Sequence, residues 1–130
     1  MKTIVLLIVW STVPLLLSQT KAAQRLSPSE AANHLGERAI VCGKVVAAKI
    51  SRYSVGNHGK PMTFYLDQPE TNPAFFFVAL SPDSANPLQA KEAYFGKQVC
   101  VTGKITTIGN VPDIMVTDPS QIEVKTDNKK

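Results

Sequence analysis

Apolar and polar positions along the chain fall into short periods. Residues 38–50 carry Ala39, Ile40, Val41, Val45, Val46 and Ile50, a run rich in β-branched residues that predicts a long strand. Gly43 interrupts it, and a glycine inside a strand marks a bulge or a sharp bend. Met62 to Leu66 predicts a second strand. Ala74 to Leu80, with Phe75, Phe76 and Phe77 in succession, predicts a third. Gln98 to Ile108 predicts a fourth, again with an internal glycine, Gly103. Val111 to Thr117 predicts a fifth, with Pro112 near its start, where a missing donor is tolerated.

Turn chemistry separates these runs. Gly56-Asn57-His58-Gly59 marks the loop after the first strand, and Asp67 to Pro73 is polar and proline-bearing. Gly109-Asn110 is a hairpin signal. Asp118-Pro119 breaks the fifth strand, and Gln121 to Val124 is a short extension. Two helix starts stand out. Ser27-Pro28-Ser29-Glu30 offers a cap, a proline at the first helical position and an acid that completes a capping box. Asn86-Pro87-Leu88-Gln89 offers the same arrangement with an amide. Gly36 and Gly96 end the two helices in the left-handed conformation.

The two helix-to-strand segments, Ser27 to Val45 and Asn86 to Ile105, share one plan. Each runs from a closing glycine through a strand to a second glycine and a lysine, Gly43-Lys44 or Gly103-Lys104. Stacked-repeat proteins need three or more units, so two helix-to-strand transitions packed on one sheet explain the pattern better.

These elements predict a mainly β protein: a five-stranded OB-type Greek-key barrel with one N-terminal helix and one helix between strands 3 and 4. Bends at mid-strand glycines let five strands close and remove exposed edges. In that topology the first and fourth strands are neighbours. Cys42 lies six residues after Gly36 and Cys100 four after Gly96, so both offsets are even. Side chains alternate with period two, which puts both cysteines on the same face of adjacent strands, within bridging reach. A disulfide is therefore expected; two buried free thiols are the alternative.

Several strings resemble the OB-fold nucleic-acid-binding domain family of small exported bacterial proteins. They are Val41-Cys42-Gly43-Lys44-Val45-Val46, Lys60 to Asp67, Tyr94 to Ile105, and Val111-Pro112-Asp113-Ile114 through Asp118-Pro119-Ser120-Gln121-Ile122. The likeness covers nearly all of residues 23–125. It implies a binding module for single-stranded DNA or RNA, with the ligand crossing the second and third strands and the loops after strands one and four.

An apolar run from Ile4 to Leu17, led by Lys2, is too short to span a bilayer, which needs about 20 residues. Thr20 and Ala22 suit a signal-peptidase site, so residues 1–22 are expected to be a cleaved signal peptide, with an uncleaved anchor as the alternative. The domain is then 23–125 and the polar tail 126–130. The expected location is periplasmic or secreted, where cysteines oxidise. A monomer without a stable membrane anchor is expected. The full chain has a formal charge of +4. Without Lys2, Lys21 and the charges at the end of the chain, Lys125, Asp127, Lys129 and Lys130, acids and bases balance at nine each. Such a domain lacks the overall basicity typical of nucleic-acid binders.

Candidate chemistry is sparse. Arg52, Tyr53, His58 and Lys60 lie in the loop after the first strand, Tyr65 on the second and Phe76 on the third. Rings there can stack on bases while cations hold phosphates. Lys44 and Lys104 could add phosphate contacts. The plain alternative is a solvated loop beside a core strand, with Phe75 and Phe77 on one face and Phe76 on the other. His34 and His58 with two cysteines show no ligand spacing for a metal. No nucleophile motif or phosphate loop is present, because Gly43-Lys44 and Gly103-Lys104 lack the preceding glycine and the following Ser or Thr. No catalytic residue and no cofactor is nominated. A cell-envelope module that binds protein or a small ligand is the competing reading.

Overall fold

The computed structural model describes residues 8–12, 23–51, 60–80 and 87–125. Among the described residues seven strands form: β1 Gln24–Leu26, β2 Arg38–Ile50, β3 Met62–Leu66, β4 Phe76–Ala79, β5 Gln98–Ile108, β6 Val111–Val116 and β7 Ile122–Lys125. Helix α1, Pro87–Tyr94, connects β4 to β5, and a 3-10 helix at Pro28–His34 precedes β2. No helix among the described residues is long and apolar enough to cross a membrane.

Closure comes from the two long strands changing partners halfway. The first half of β2 pairs antiparallel with β5, from Arg38↔Lys104 to Lys44↔Gln98. Its second half pairs with β3, from Val45↔Leu66 to Ile50↔Met62. β5 likewise leaves β2 at Lys104 and pairs with β6 from Ile105 onward. With β3–β4 antiparallel and β4–β6 parallel, the ring β2-β3-β4-β6-β5 closes. This is the expected five-stranded OB-type barrel. β1 and β7 lengthen one wall, pairing with the outer edges of β2 and β5.

The glycines sit where the strands change partner. A Cβ on Gly103 would stand 2.6 Å from Cγ2 of Ile114. A Cβ on Gly43 would meet Pro28, the Asp67 carboxylate and Leu66 at 2.8, 3.0 and 3.2 Å. The missing side chains thus leave room for the neighbouring wall to come close. The register shift of β2 lies between Val45 and Ala47 rather than at Gly43, so the glycine serves close approach and the bulge follows it. The shared plan of the two segments becomes a near-twofold arrangement. Gly36 N–H donates to Ile105 O at 2.7 Å, and Gly96 N–H donates to Val45 O at 2.9 Å. Both glycines have positive φ, as their role at helix ends requires.

Alternate side chains fill the interior. Ala39, Val41, Val45, Phe64, Leu66, Phe77, Val99, Val101, Ile105 and Ile114 are buried together. Phe64 and Phe77 stack with centroids 4.9 Å apart, and Tyr94 of α1 sets its ring edge-on to both. Burying each such ring contributes roughly 1.5–3 kcal/mol. Phe75 and Phe77 are fully buried, and Phe76 pairs with Tyr65 on the opposite face, as expected from period two.

Some expectations change in detail. The N-terminal helix is 3-10, and Ser27 makes no side-chain cap; only its carbonyl accepts, from Glu30 N–H at 3.1 Å. The third strand shortens to Phe76–Ala79. β1 had no sequence signal, being three residues long. The segment after β6 forms a true capping box: the Asp118 carboxylate accepts from Ser120 N–H, and the Gln121 amide oxygen accepts from Asp118 N–H. The expected signal peptide falls mostly outside the described residues, and the tail 126–130 entirely so.

Candidate binding face

Because β3, β4 and β6 turn their even–odd partners inward, the other set lines the outside of the barrel. One cross-strand row reads Ala47, Tyr65, Phe76, Asp113, Thr106. The rings of Tyr65 and Phe76 lie 5.6 Å apart, tilted by 54°. Tyr65 is half-buried and Phe76 is 8% exposed, so Tyr65 presents the accessible edge of the pair. The next row reads Lys49, Thr63, Val78, Met115, and Met115 is 43% exposed. The Lys49 ammonium is paired with the Glu70 carboxylate at 2.5 Å.

Burial raises the Tyr65 phenol above its ordinary value; the Glu70 charge adds to the rise and Lys49 opposes it. The phenol is therefore a neutral donor at physiological pH, suited to stacking and hydrogen bonding rather than to acid–base work. Asp113 is fully buried on this outward row. Its Oδ1 accepts from the Thr106 hydroxyl at 2.7 Å, and its Oδ2 has no partner. Burial pushes its carboxyl up, and the Thr106 hydroxyl opposes that only in part. Nothing in the sequence signals that this outward position is covered.

The remaining candidates divide. Lys60 is exposed at the start of the segment leading into β3. Arg52, Tyr53 and His58 lie outside the described residues. Lys44 and Lys104 are exposed but do not join the aromatic pair; they stand on the outer face of the sheet formed by β1, β2, β5 and β7. The bridge between Cys42 and Cys100 spans the same outer face, where the two residues oppose each other directly. Among the described residues no group of three or more His, Cys, Asp or Glu could hold a metal ion.

Fold and face together define an OB-type barrel with a disulfide across its first and fourth barrel strands and an aromatic pair on the outside of its second and third. No protein-family profile matches the sequence, and neither does any curated protein. Solved structures do resemble it. "OBody AM1L10 bound to hen egg-white lysozyme" aligns over 80% of this chain and 95% of that one, with 18% identity and a TM-score of 0.51. RecG bound to a three-way DNA junction aligns over 82% of this chain at 17% identity and a TM-score of 0.51. Against RecG the protein spans only 13% of the chain's length, the size of one module. A Klebsiella pneumoniae lipoprotein named for nucleic-acid binding aligns over 76% of this chain and 79% of that one, at 13% identity. Its TM-score of 0.44 is too low to carry weight. At these identities the likeness establishes the fold.

Proposed function

We propose that the protein is a non-enzymatic binding module that takes single-stranded nucleic acid on the outer face of β3 and β4. The observation that carries this reading is the half-buried Tyr65 ring, backed by Phe76 at 5.6 Å and set outward on the barrel wall. A base stacks on such a ring whatever its identity, at about 1–3 kcal/mol per base. Lys60 is exposed two residues before β3 begins. Catalysis has no nominated nucleophile or acid–base pair. The bridge fits a protein that works in an oxidising compartment, periplasmic or secreted.

A second reading has its own support. Lys49, beside the rings, is paired with Glu70. Such a face also suits a protein partner or a small ligand of the cell envelope. Of two similar structures, one is RecG bound to a three-way DNA junction and the other an OBody bound to lysozyme, so the likeness does not choose between the readings.

Fluorescence anisotropy with a labelled oligonucleotide at about 50 and 200 mM salt separates the two readings, because phosphate contacts make affinity fall with salt. Tyr65→Ala is expected to weaken oligonucleotide binding by about 5- to 150-fold, the equivalent of one lost stack. No measurable binding at the lower salt rejects the nucleic-acid reading in favour of the envelope one.

A further inference from the structure

We infer that the outer face of the sheet β1-β2-β5-β7 is a second binding surface, one that takes the phosphodiester backbone of a nucleic acid without reading its bases. The ligand class rests on the reading above; the site rests on different residues. The disulfide fixes which side chains share this face, because Cys42 and Cys100 must point the same way. Counting by two from them places Arg38 and Lys44 of β2 and Lys104 of β5 on that side. Register adds Arg25 of β1, opposite Ile40, and Lys125 of β7, opposite Gln98. All five cations are exposed.

Among the described residues the face carries one acid, Glu123, opposite Cys100. Asp67 comes near through the backbone, where its Oδ1 accepts from Lys44 N–H at 2.8 Å. None of the five cations is in an ion pair among the described residues. Arg38 stands directly opposite Lys104, and like charges in that position cost stability. Five exposed cations give this face a positive potential, which an external polyanion neutralises.

Shape and chemistry narrow the occupant. Six residues of β2 separate Arg38 from Lys44, about 20 Å, and four strands span about 14 Å across. The outward positions are otherwise Ile40, Gln98, Thr102 and the bridge, with no aromatic ring among them. Stacking is therefore absent, and charge alone does the holding. This matches contacts to sugar-phosphate, which position a strand but carry no sequence information.

The test compares the wild-type protein, the triple variant R38Q/K44Q/K104Q and Y65A, each binding a labelled oligothymidylate of about 20 nucleotides across a salt series. Each phosphate contact to a single strand adds about 0.7 to the slope of log affinity against log salt. The triple variant is expected to lose about 2 from that slope, while Y65A keeps the slope and loses affinity. Glutamine at three exposed positions relieves repulsion, so the urea midpoint of the triple variant should be no lower than wild type. An unchanged slope in the triple variant, with Y65A still impaired, overturns the basic face and leaves the Tyr65 reading standing. A lost slope with Y65A unimpaired overturns the Tyr65 reading and leaves the basic face. Absence of wild-type binding overturns both.

Discussion

The disulfide closes a loop between residues 58 apart in sequence, so removing it should act mainly on the unfolded chain. The perturbation is the double variant C42A/C100A; alanine avoids leaving a hydroxyl at position 100, which is 2% exposed. Loop-closure entropy for a ring of this length is about 4 kcal/mol at 25 °C. A domain of this size has about 5–15 kcal/mol of total stability, so the loss is a large share. The native state should survive unchanged in form. Val41↔Val101 and Gly43↔Val99 hold the register on either side of the bridge without it. In urea, with a slope near 1.5 kcal/mol/M, the midpoint should fall by about 2.5 M. The slope itself should rise, because an unbridged unfolded chain exposes more surface. The assay is equilibrium unfolding of both proteins by circular dichroism, with a thiol titration of the denatured, unreduced wild type alongside. Equal midpoints for the two proteins, or two titratable thiols in the wild type, would refute the reasoning.

Two other outcomes follow from the same geometry. Asp113 has a carboxyl raised by burial above its ordinary 3.8, so the folded state holds its proton more tightly than the unfolded state. Its contribution is fully present below that ordinary value and is lost as pH rises through the raised one. D113N, which keeps an acceptor for Thr106, should remove that decline; urea midpoints of both proteins at pH 4 and pH 8 measure it, and parallel changes would sink the assignment. G103A forces a methyl to within 2.6 Å of Ile114, itself fully buried, and should cost about 1–3 kcal/mol by thermal or urea unfolding. A wild-type midpoint for G103A would show that the strand does not need the close approach there.

Much of the barrel was legible because its signals are local. β3 and β5 form over the residues that the apolar runs marked, and Gly36 and Gly96 take the positive φ that a helix end demands. Gly109 and Asn110 both have positive φ, as the hairpin signal requires. The cysteine pairing was legible too, since both cysteines stand at even offsets from the glycines that open their strands, and period two then gives them one face. Features without a local signal escaped. β1 exists only because β2 offers it an edge, and three residues show no period. Ser27 has the right identity for a cap, yet its side chain makes no cap bond. Asp113 is an acid with no burial signal around it, and only the packing of its row covers it.

Charge shows the division most clearly. The sequence carries a near-neutral domain, five β-rich segments and two cysteines of matching parity, because composition and period two are properties of the chain alone. It said nothing of where the charges meet. Arg25, Arg38, Lys44, Lys104 and Lys125 are scattered over a hundred positions, and none flags another. Closing the barrel brings four strands side by side, and alternation then turns all five toward one side, while Lys49 is sent to Glu70 on another wall. A field depends on distance through space, and only the tertiary structure sets that distance.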